Sequence, residues 1–123
     1  MHLKKRKRFE ELEVRFFAAQ IILGLTFLHE KSIIYQDLKP ENILLDSNGY
    51  IKLADFGAAK YGYQTKDYKT FIGTADYIAP EVLKKLPYNK AVDWWSLGIL
   101  MFELLYGKPP FFQQNPKATF RHI

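Results

Sequence analysis

Three oxygen-bearing side chains flank a predicted β-hairpin: Asp37, Asn42 and Asp55. Residues 42–45 and 50–53 are short apolar runs typical of strands, and the intervening Asp46-Ser-Asn-Gly49 has the composition of a tight turn. Because antiparallel strands return the chain to its starting edge, Asn42 before the first strand and Asp55 after the second are expected to lie side by side. Amide and carboxylate oxygens suit Mg²⁺, so this spacing predicts a metal site at the open end of the hairpin.

A long apolar segment ahead of the hairpin predicts a helix over residues 9–31. Its apolar residues recur at steps of three and four, the spacing of one helix face. We expect this stripe to be buried: Leu12, Phe16, Ala19, Leu23 and Phe27. Three acidic residues near the start complement the helix dipole. Gly24 is a weak point in this helix unless another backbone packs closely there.

A second helix is predicted over residues 91–106, the most hydrophobic part of the chain. Its apolar residues cover nearly every face, which is typical of a helix in the middle of a core. The main stripe is Val92, Trp95, Ile99, Phe102 and Tyr106. Gly107 is the expected C-terminal cap, and Pro109 prevents continuation. Asn115 and Pro116 are the residue types that start a further helix.

The segment over residues 55–81 is polar, aromatic and rich in turn residues. A segment of this length with little regular structure is usually functional or mobile. Its modifiable hydroxyl groups include those of Tyr61, Tyr63, Tyr68 and Thr70. Residues 82–85 predict a short helical turn that ends before Pro87.

The net charge of +5 has a local origin. It arises from 18 basic and 13 acidic residues, and the run Lys4-Lys-Arg-Lys-Arg8 supplies five of the basic ones. The rest of the chain is balanced in charge, so the net charge does not argue for a nucleic-acid-binding surface across the domain. Two interpretations of the run stay open: a solvated linker or helix face, and a nuclear-import or anionic-surface patch.

The chain has no cysteine, which excludes disulfides and thiolate metal sites and fits a reducing compartment. Residues 16–28 form an apolar run behind a basic start, but acidic residues interrupt the approach and charged residues replace a cleavage site. The run is also shorter than the roughly 18 residues that a membrane span needs. We therefore expect an intracellular protein, cytoplasmic or also nuclear, with no nucleic-acid partner and no membrane span.

Several motifs follow one another in the chain: Ile34-Tyr-Gln-Asp-Leu-Lys-Pro-Glu-Asn42, Asp55-Phe-Gly57, Gly73-Thr-Ala-Asp-Tyr-Ile-Ala-Pro-Glu81, and Val92-Asp-Trp-Trp-Ser-Leu-Gly98 with Pro109-Pro-Phe-Phe112. In this order they resemble the motifs of the eukaryotic protein kinases, and most of all of their AGC group, typified by the cyclic-AMP-dependent kinase. The resemblance implies an α+β, mainly helical fold: the C-terminal lobe of a kinase-like fold, with a short β-hairpin at its catalytic loop. It implies one partial kinase domain over residues 1–123, from helix D to about helix G, with the N-terminal lobe missing.

The resemblance also implies chemical roles for individual residues, carried over by matching position. Asp37 matches the catalytic base, and Lys39, typical of serine/threonine kinases, matches the residue that contacts the γ-phosphate. Asn42 and Asp55 match the ligands of Mg²⁺. The positions expected to bind ATP and its metal are Lys39, Glu41, Asn42, Leu44 and Asp55.

Further positions match substrate-binding and structural residues of the family. Thr74 matches the residue that helps select Ser/Thr acceptors, Thr70 the activation-loop phosphosite, and Glu41 and Glu103 the acids that bind an arginine before the acceptor. The scaffold positions are Tyr35 and Phe56 in a hydrophobic spine, Glu81, and Asp93, which would anchor the backbone of the catalytic loop. Plainer interpretations stay open: a solvated carboxylate at Glu103, a helix-terminal charge at Asp93, and an unmodified hydroxyl at Thr70.

The sequence departs from the family pattern in three places. Gln36 stands where most regulated kinases have an arginine that pairs with the activation-loop phosphate, and Lys60 matches only a weaker contact. Because an amide is uncharged, we predict weaker phosphate control at Thr70. No Gly-rich loop, β3 lysine or helix-C glutamate occurs in the chain. Arg121 lies too early to match the arginine that pairs with Glu81, and a buried glutamate without a partner would be costly.

The sequence therefore predicts part of a serine/threonine protein kinase that transfers the γ-phosphate of ATP to protein substrates with Mg²⁺. The resemblance implies substrates with basic residues N-terminal to the acceptor, and a regulatory subunit or an upstream kinase as a further partner. The alternative is a truncated, catalytically inactive kinase-like protein that acts as a binding or regulatory module.

Overall fold

A computed structural model describes residues 6, 8–62 and 74–123, which form mainly helices with two small antiparallel sheets. The helices are α1 (Glu11–Glu30), α2 (Pro80–Leu83), α3 (Ala91–Tyr106) and α4 (Pro116–His122). The strands are β1 (Ile33–Ile34), β2 (Ile43–Leu45), β3 (Ile51–Leu53) and β4 (Lys60–Tyr61). Single 3₁₀ turns span Pro40–Asn42 and Ala75–Tyr77. This composition agrees with the predicted mainly helical α+β class.

Strands β2 and β3 form the predicted hairpin, although each begins one residue later than expected. Ile43 pairs with Leu53, and the Ala54 N–H donates to the Asn42 carbonyl oxygen at 2.9 Å. This last bond closes the open end of the hairpin. Asn42, which supplies the acceptor, and Asp55, which follows Ala54, are thereby brought to one end of the hairpin, as the spacing predicts.

The turn of the hairpin is built by the side chain of Asp46. Its Oδ1 accepts the N–H of Asn48 at 2.8 Å and the N–H of Tyr50 at 2.9 Å. Gly49 adopts φ +83°, a left-handed conformation that glycine adopts at little cost. The Asp-Ser-Asn-Gly composition therefore selects this turn through both its acceptor and its glycine.

The hairpin is fixed to helix α1 at two points. Gln20 Oε1 accepts the N–H of Ile51 at 2.9 Å. At Gly24, an added Cβ would lie 3.3 Å from Leu53 Cδ1. The close neighbour of Gly24 is therefore a side chain of β3 and not another backbone.

Helix α1 buries a different face from the one predicted. Every residue of the predicted stripe is exposed, with Leu12 75% and Leu23 71% accessible. The buried row is Val14, Phe17, Ala18, Ile21, Leu25 and Leu28. Both rows have helical spacing, so spacing alone does not select a face; the packing of α1 against α3, β1 and β3 does.

Because α1 is apolar on both faces, its 20 residues have the length and mean hydropathy (1.4) of a helix that could cross a membrane. Core helices of soluble proteins meet the same criteria, and 39% of the tested window is buried inside the structure. This is weak evidence for a membrane segment.

Helix α3 has the predicted bounds, and Gly107 caps it at φ +85° with its N–H bonded to the Glu103 carbonyl oxygen at 2.7 Å. The side chains that α3 buries are mostly leucine and isoleucine: Leu97, Ile99, Leu100 and Leu104. Phe102 and Tyr106, which we expected in the core, are 38% and 56% exposed and pack on each other at 4.5 Å. That part of the prediction is wrong because one side of the last turns has no covering element among the described residues.

Strands β1 and β4 pair antiparallel, with Ile33 opposite Tyr61 and Ile34 opposite Lys60. This pairing was not predicted, since two-residue strands have no detectable periodicity. It joins the two ends of residues 35–59 and so encloses the loops that carry the predicted site.

Of the two short helices, α4 starts where the sequence predicts and α2 does not. Helix α4 starts at Pro116, and the Asn115 side chain accepts the Lys117 N–H at 2.9 Å, which confirms the predicted cap. Helix α2 starts at Pro80, two residues before the predicted turn. Proline fits the first helical position because its missing N–H would have no partner there.

Candidate active site

Asp93, in the first turn of α3, holds the backbone of the loop that precedes Asp37. Its carboxylate is fully buried. Oδ2 accepts the Tyr35 N–H at 2.9 Å, and Oδ1 accepts the Gln36 N–H at 2.8 Å. The His29 Nε2 lies 2.7 Å from Oδ2 and donates to it, since a carboxylate only accepts. Such a set of donors is what allows a carboxylate to be buried.

The Asp37 carboxylate is held between a cation and an amide. Lys39 Nζ lies 3.0 and 2.8 Å from its two oxygens and 3.2 Å from Thr74 Oγ1. On the other side, Asn42 Nδ2 donates to Asp37 Oδ2 at 2.9 Å and to the Asp37 carbonyl oxygen at 2.8 Å. The structure therefore brings four of the predicted site residues into one contact network.

This network combines an acceptor for a proton with a centre of positive charge. Asp37 and Lys39 have only 12% and 22% of their side chains exposed, so the pair is partly shielded from water. Charge-assisted hydrogen bonds of this length are stronger than those between neutral groups. The arrangement can bind a hydroxyl at the carboxylate and a phosphate oxygen at the ammonium group.

Asp55 lies in a more exposed segment, residues 55–57. Its Oδ1 accepts the Gly57 N–H at 3.0 Å, and its backbone has φ +54°. A left-handed conformation is uncommon for a residue other than glycine and is enriched at functional sites. The carboxylate is thus presented at the surface by a strained local turn.

Tyr35 connects the Asp55 segment to the loop that carries Asp37. Its hydroxyl donates to the Ala54 carbonyl oxygen, and its ring lies 5.3 Å from the Phe56 ring in an edge-to-face arrangement. Burial raises the pKa of the Tyr35 hydroxyl, with the nearby charges of Asp37 and Asp55 acting in the same direction. The hydroxyl therefore stays protonated and remains a donor at physiological pH.

The donor set at the hairpin end suits a hard cation. Both side-chain contacts of Asn42 to Asp37 use the amide nitrogen, so its amide oxygen is the atom available to a metal. Asp55 contributes an exposed carboxylate. No group of three or more His, Cys, Asp or Glu side chains forms a metal cluster among the described residues. A Mg²⁺ ion here would take its other ligands from phosphate and water, as this ion commonly does.

Comparison with known proteins assigns the family. The family model described as "Protein kinase domain" matches residues 1–123. The chain belongs to the protein kinase family. It is 52% identical to the cAMP-dependent protein kinase catalytic subunit of Schizosaccharomyces pombe, over 98% of this chain and 23% of that protein. These findings confirm the resemblance on which the site roles were assigned.

Two further relatives support the same assignment. The chain is 49% identical to the human serine/threonine-protein kinase Sgk2, over 99% of this chain and 34% of that protein. It is 51% identical to the mouse protein kinase C eta type, over 99% of this chain and 18% of that protein. The chain is a partial kinase domain that spans about a third or less of these serine/threonine kinases.

Two further acidic residues of the predicted site lie in α2 and α3. Glu103 is half-buried and accepts a hydrogen bond from the Tyr77 hydroxyl. Glu81 is partly exposed in α2 rather than buried, and Arg121 is exposed in α4. Because Glu81 is partly exposed, the cost expected for a buried glutamate without a partner is reduced.

The other predicted positions are placed as follows. Glu41 is half-buried in the 3₁₀ turn next to Asn42. Leu44 is half-buried in β2, opposite Lys52. Thr70 lies outside the described residues.

Sequence reasoning missed three side chains that contact the predicted site. His29 reaches Asp93, Tyr77 reaches Glu103, and the Tyr88 hydroxyl accepts a hydrogen bond from Gln36 Nε2 at 2.7 Å. Each partner is distant in sequence, so periodicity carries no signal for them. The one available signal is a histidine at the end of the apolar run of α1.

Proposed function

We propose that the native protein transfers the γ-phosphate of ATP to serine or threonine hydroxyls of protein substrates. The observation that carries the proposal is the contact of Lys39 Nζ with both Asp37, at 2.8 Å, and Thr74, at 3.2 Å. A carboxylate, a cation and a hydroxyl group therefore meet at one point. Phosphoryl transfer needs this positioning more than covalent chemistry from the protein.

Each residue of the network has a distinct task in this reaction. Asp37 orients the acceptor hydroxyl and receives its proton. Lys39 balances negative charge on the transferred phosphoryl group. Asn42 and Asp55 would hold Mg²⁺, which when bound neutralises charge on the phosphate oxygens. Thr74 contacts Lys39 and lies where it would favour Ser/Thr acceptors.

We assign the chain to the C-terminal lobe of the kinase fold, from helix D to about helix G. The support is the order of elements: a long helix, the loop of Asp37, a hairpin and a second long helix. The family match implies protein substrates, and we propose that Glu41 and Glu103 favour basic residues before the acceptor. Such a function requires ATP and fits a location inside the cell.

We also propose that phosphate at Thr70 controls this site weakly. Residue 36 is an uncharged glutamine, and its amide nitrogen is engaged by Tyr88 at 2.7 Å. A neutral amide forms a much weaker hydrogen bond with a phosphate than a charged guanidinium group does. The Gln36→Arg variant should increase the activity difference between Thr70-phosphorylated and unphosphorylated protein; an unchanged difference would contradict this proposal.

The main test measures phosphate transfer by the native protein from Mg-ATP to a serine peptide with arginines before the acceptor. The matched peptides have tyrosine or alanine at the acceptor position. We expect transfer to serine only, and a decrease of about 10²-fold or more in the Asp37→Asn variant. Equal transfer to tyrosine, or a fully active Asp37→Asn variant, would exclude the proposed mechanism.

A further inference from the structure

We propose that Tyr88 is a positioning residue for the catalytic loop and acts through its hydroxyl on Gln36. This inference rests on the proposed function, because it concerns the placement of Asp37. Gln36 Nε2 donates to the Tyr88 hydroxyl at 2.7 Å. Tyr88 is buried, and its surroundings are apolar: Ile34, Ala79 and Val92.

The position of Gln36 in the chain explains why its side chain matters. It directly precedes Asp37 and has φ +68°, a conformation that costs free energy for a residue with a Cβ. Such a residue keeps its conformation only when its surroundings restrain it. Asp93 restrains the Gln36 N–H from the first turn of α3, and Tyr88 restrains the end of the side chain from the segment before α3.

A small cavity next to Gln36 leaves room for its side chain to move. The cavity has a volume of about 20 Å³, room for about one water molecule, and its walls include Gln36, Asp37, Thr74 and Tyr77. Gln36 Oε1 is buried and has no hydrogen-bond partner in the described part of the chain. Without the Tyr88 hydroxyl, we expect the amide to turn toward this space, whose walls also include Asp37.

The contact joins an amide and a hydroxyl and therefore needs no phosphate. Tyr88 therefore holds Gln36, the residue before Asp37, whether or not the protein is phosphorylated. Loss of the contact should lower kcat, which depends on the placement of Asp37, and leave the KM for Mg-ATP nearly unchanged.

The experiment compares the native protein with three variants: Tyr88→Phe, Gln36→Met and the double variant. Tyr88→Phe removes only the hydroxyl, and Gln36→Met keeps the side-chain length without its hydrogen-bonding groups. The control is Tyr106→Phe, the same chemical change at an exposed tyrosine. Hydrogen exchange of the amides in residues 35–38 is measured together with kcat and KM.

We expect exchange in residues 35–38 to be about fivefold faster in each single variant, the factor that one ordinary hydrogen bond supplies, with exchange in α1 unchanged. kcat should fall by a similar factor, and the double variant should be no worse than the poorer single variant. The control should match the wild type. A general loss of stability would instead accelerate exchange in α1 as well.

Unchanged exchange in residues 35–38, or fully additive effects in the double variant, would overturn the inference. If the wild type transfers no phosphate, the proposed function fails, but the exchange measurement still decides whether Tyr88 holds this loop. If Tyr88→Phe does not fold, Gln36→Met removes the same contact from its other side and gives the same measurement.

Discussion

The loop at residues 35–42 and the segment at residues 55–57 both carry an acidic side chain of the site, but the fold holds them differently. The loop is bound by the buried carboxylate of Asp93, which accepts two of its backbone N–H groups. The 55–57 segment is exposed, and the hydrogen bond of its carboxylate is made within the segment, from Gly57 to Asp55. The first acid is therefore fixed by tertiary structure and the second by a local turn.

Because of this difference, substitutions in the two regions should affect the stability of the protein differently. A change at a buried, fully bonded carboxylate leaves donors without partners and costs stability. A change at an exposed carboxylate leaves its surroundings solvated and costs little. We therefore expect substitutions in the 55–57 segment to lower activity without lowering stability. Substitutions of Asp93, which anchors the loop, should lower stability.

The largest effect is expected for Asp55→Asn in the native protein. The amide keeps the shape but loses the charge that would hold Mg²⁺, so kcat/KM should fall by about 10³-fold. The free energy of unfolding should change by less than about 0.5 kcal/mol, because the group is exposed. Steady-state kinetics and urea unfolding measure the two quantities. A stability loss above about 1 kcal/mol would show that the segment contributes more to the stability of the fold than its contacts indicate.

The same chemical change at the buried anchor, Asp93→Asn, should have the opposite signature. One oxygen is replaced by an NH₂ group, which leaves the N–H of Gln36 or of Tyr35 facing another donor. We expect a loss of about 3 kcal/mol in the free energy of unfolding, measured in urea with Asp55→Asn as the matched control. A loss below about 1 kcal/mol would remove the distinction between the two regions.

A smaller effect is expected for Tyr35→Phe, which cuts the hydroxyl contact between the regions and keeps the ring against Phe56. One buried hydrogen bond contributes about 1 kcal/mol, so the KM for Mg-ATP should rise about fivefold as Asp55 loses its support. The control is Tyr50→Phe, at a tyrosine that is 56% exposed. An unchanged KM would mean that the local turn alone positions Asp55.

The smallest effect concerns the hairpin turn that leads to Asp55. The pKa of Asp46 is held below its ordinary value, first by the N–H of Tyr50 and also by the N–H of Asn48. Ionised Asp46 therefore stabilises the fold above its unfolded-state pKa, and this contribution is lost as pH falls through the lower folded-state pKa.

Asp46→Asn should accordingly be less stable than the wild type at neutral pH and equal to it in strong acid. Unfolding in urea at both conditions measures the difference, and Ser47→Ala, in the same exposed turn, is the control. If the difference in stability did not depend on pH, the contribution of Asp46 would come from the geometry of the turn and not from its charge.

The amino-acid sequence determined the local parts of this protein. Asp46-Ser-Asn-Gly49 specified the hairpin turn, Gly107 ended α3 at φ +85°, and Asn115 capped α4. These features are predictable because each depends on contacts within a few residues. The family motifs likewise assigned Asp37, Lys39 and Asn42 to one short loop, and their side chains are in contact within it.

Only the tertiary structure decided which face of α1 is buried and which side chains reach the site. Two apolar rows of α1 have equal helical spacing, and packing on α3, β1 and β3 selected the row that contains Leu25. His29 reaches Asp93, and Tyr88 reaches Gln36, across long stretches of sequence. The physical reason is that helical periodicity and turn chemistry act within one element, whereas burial and hydrogen bonding between elements depend on how the whole chain packs.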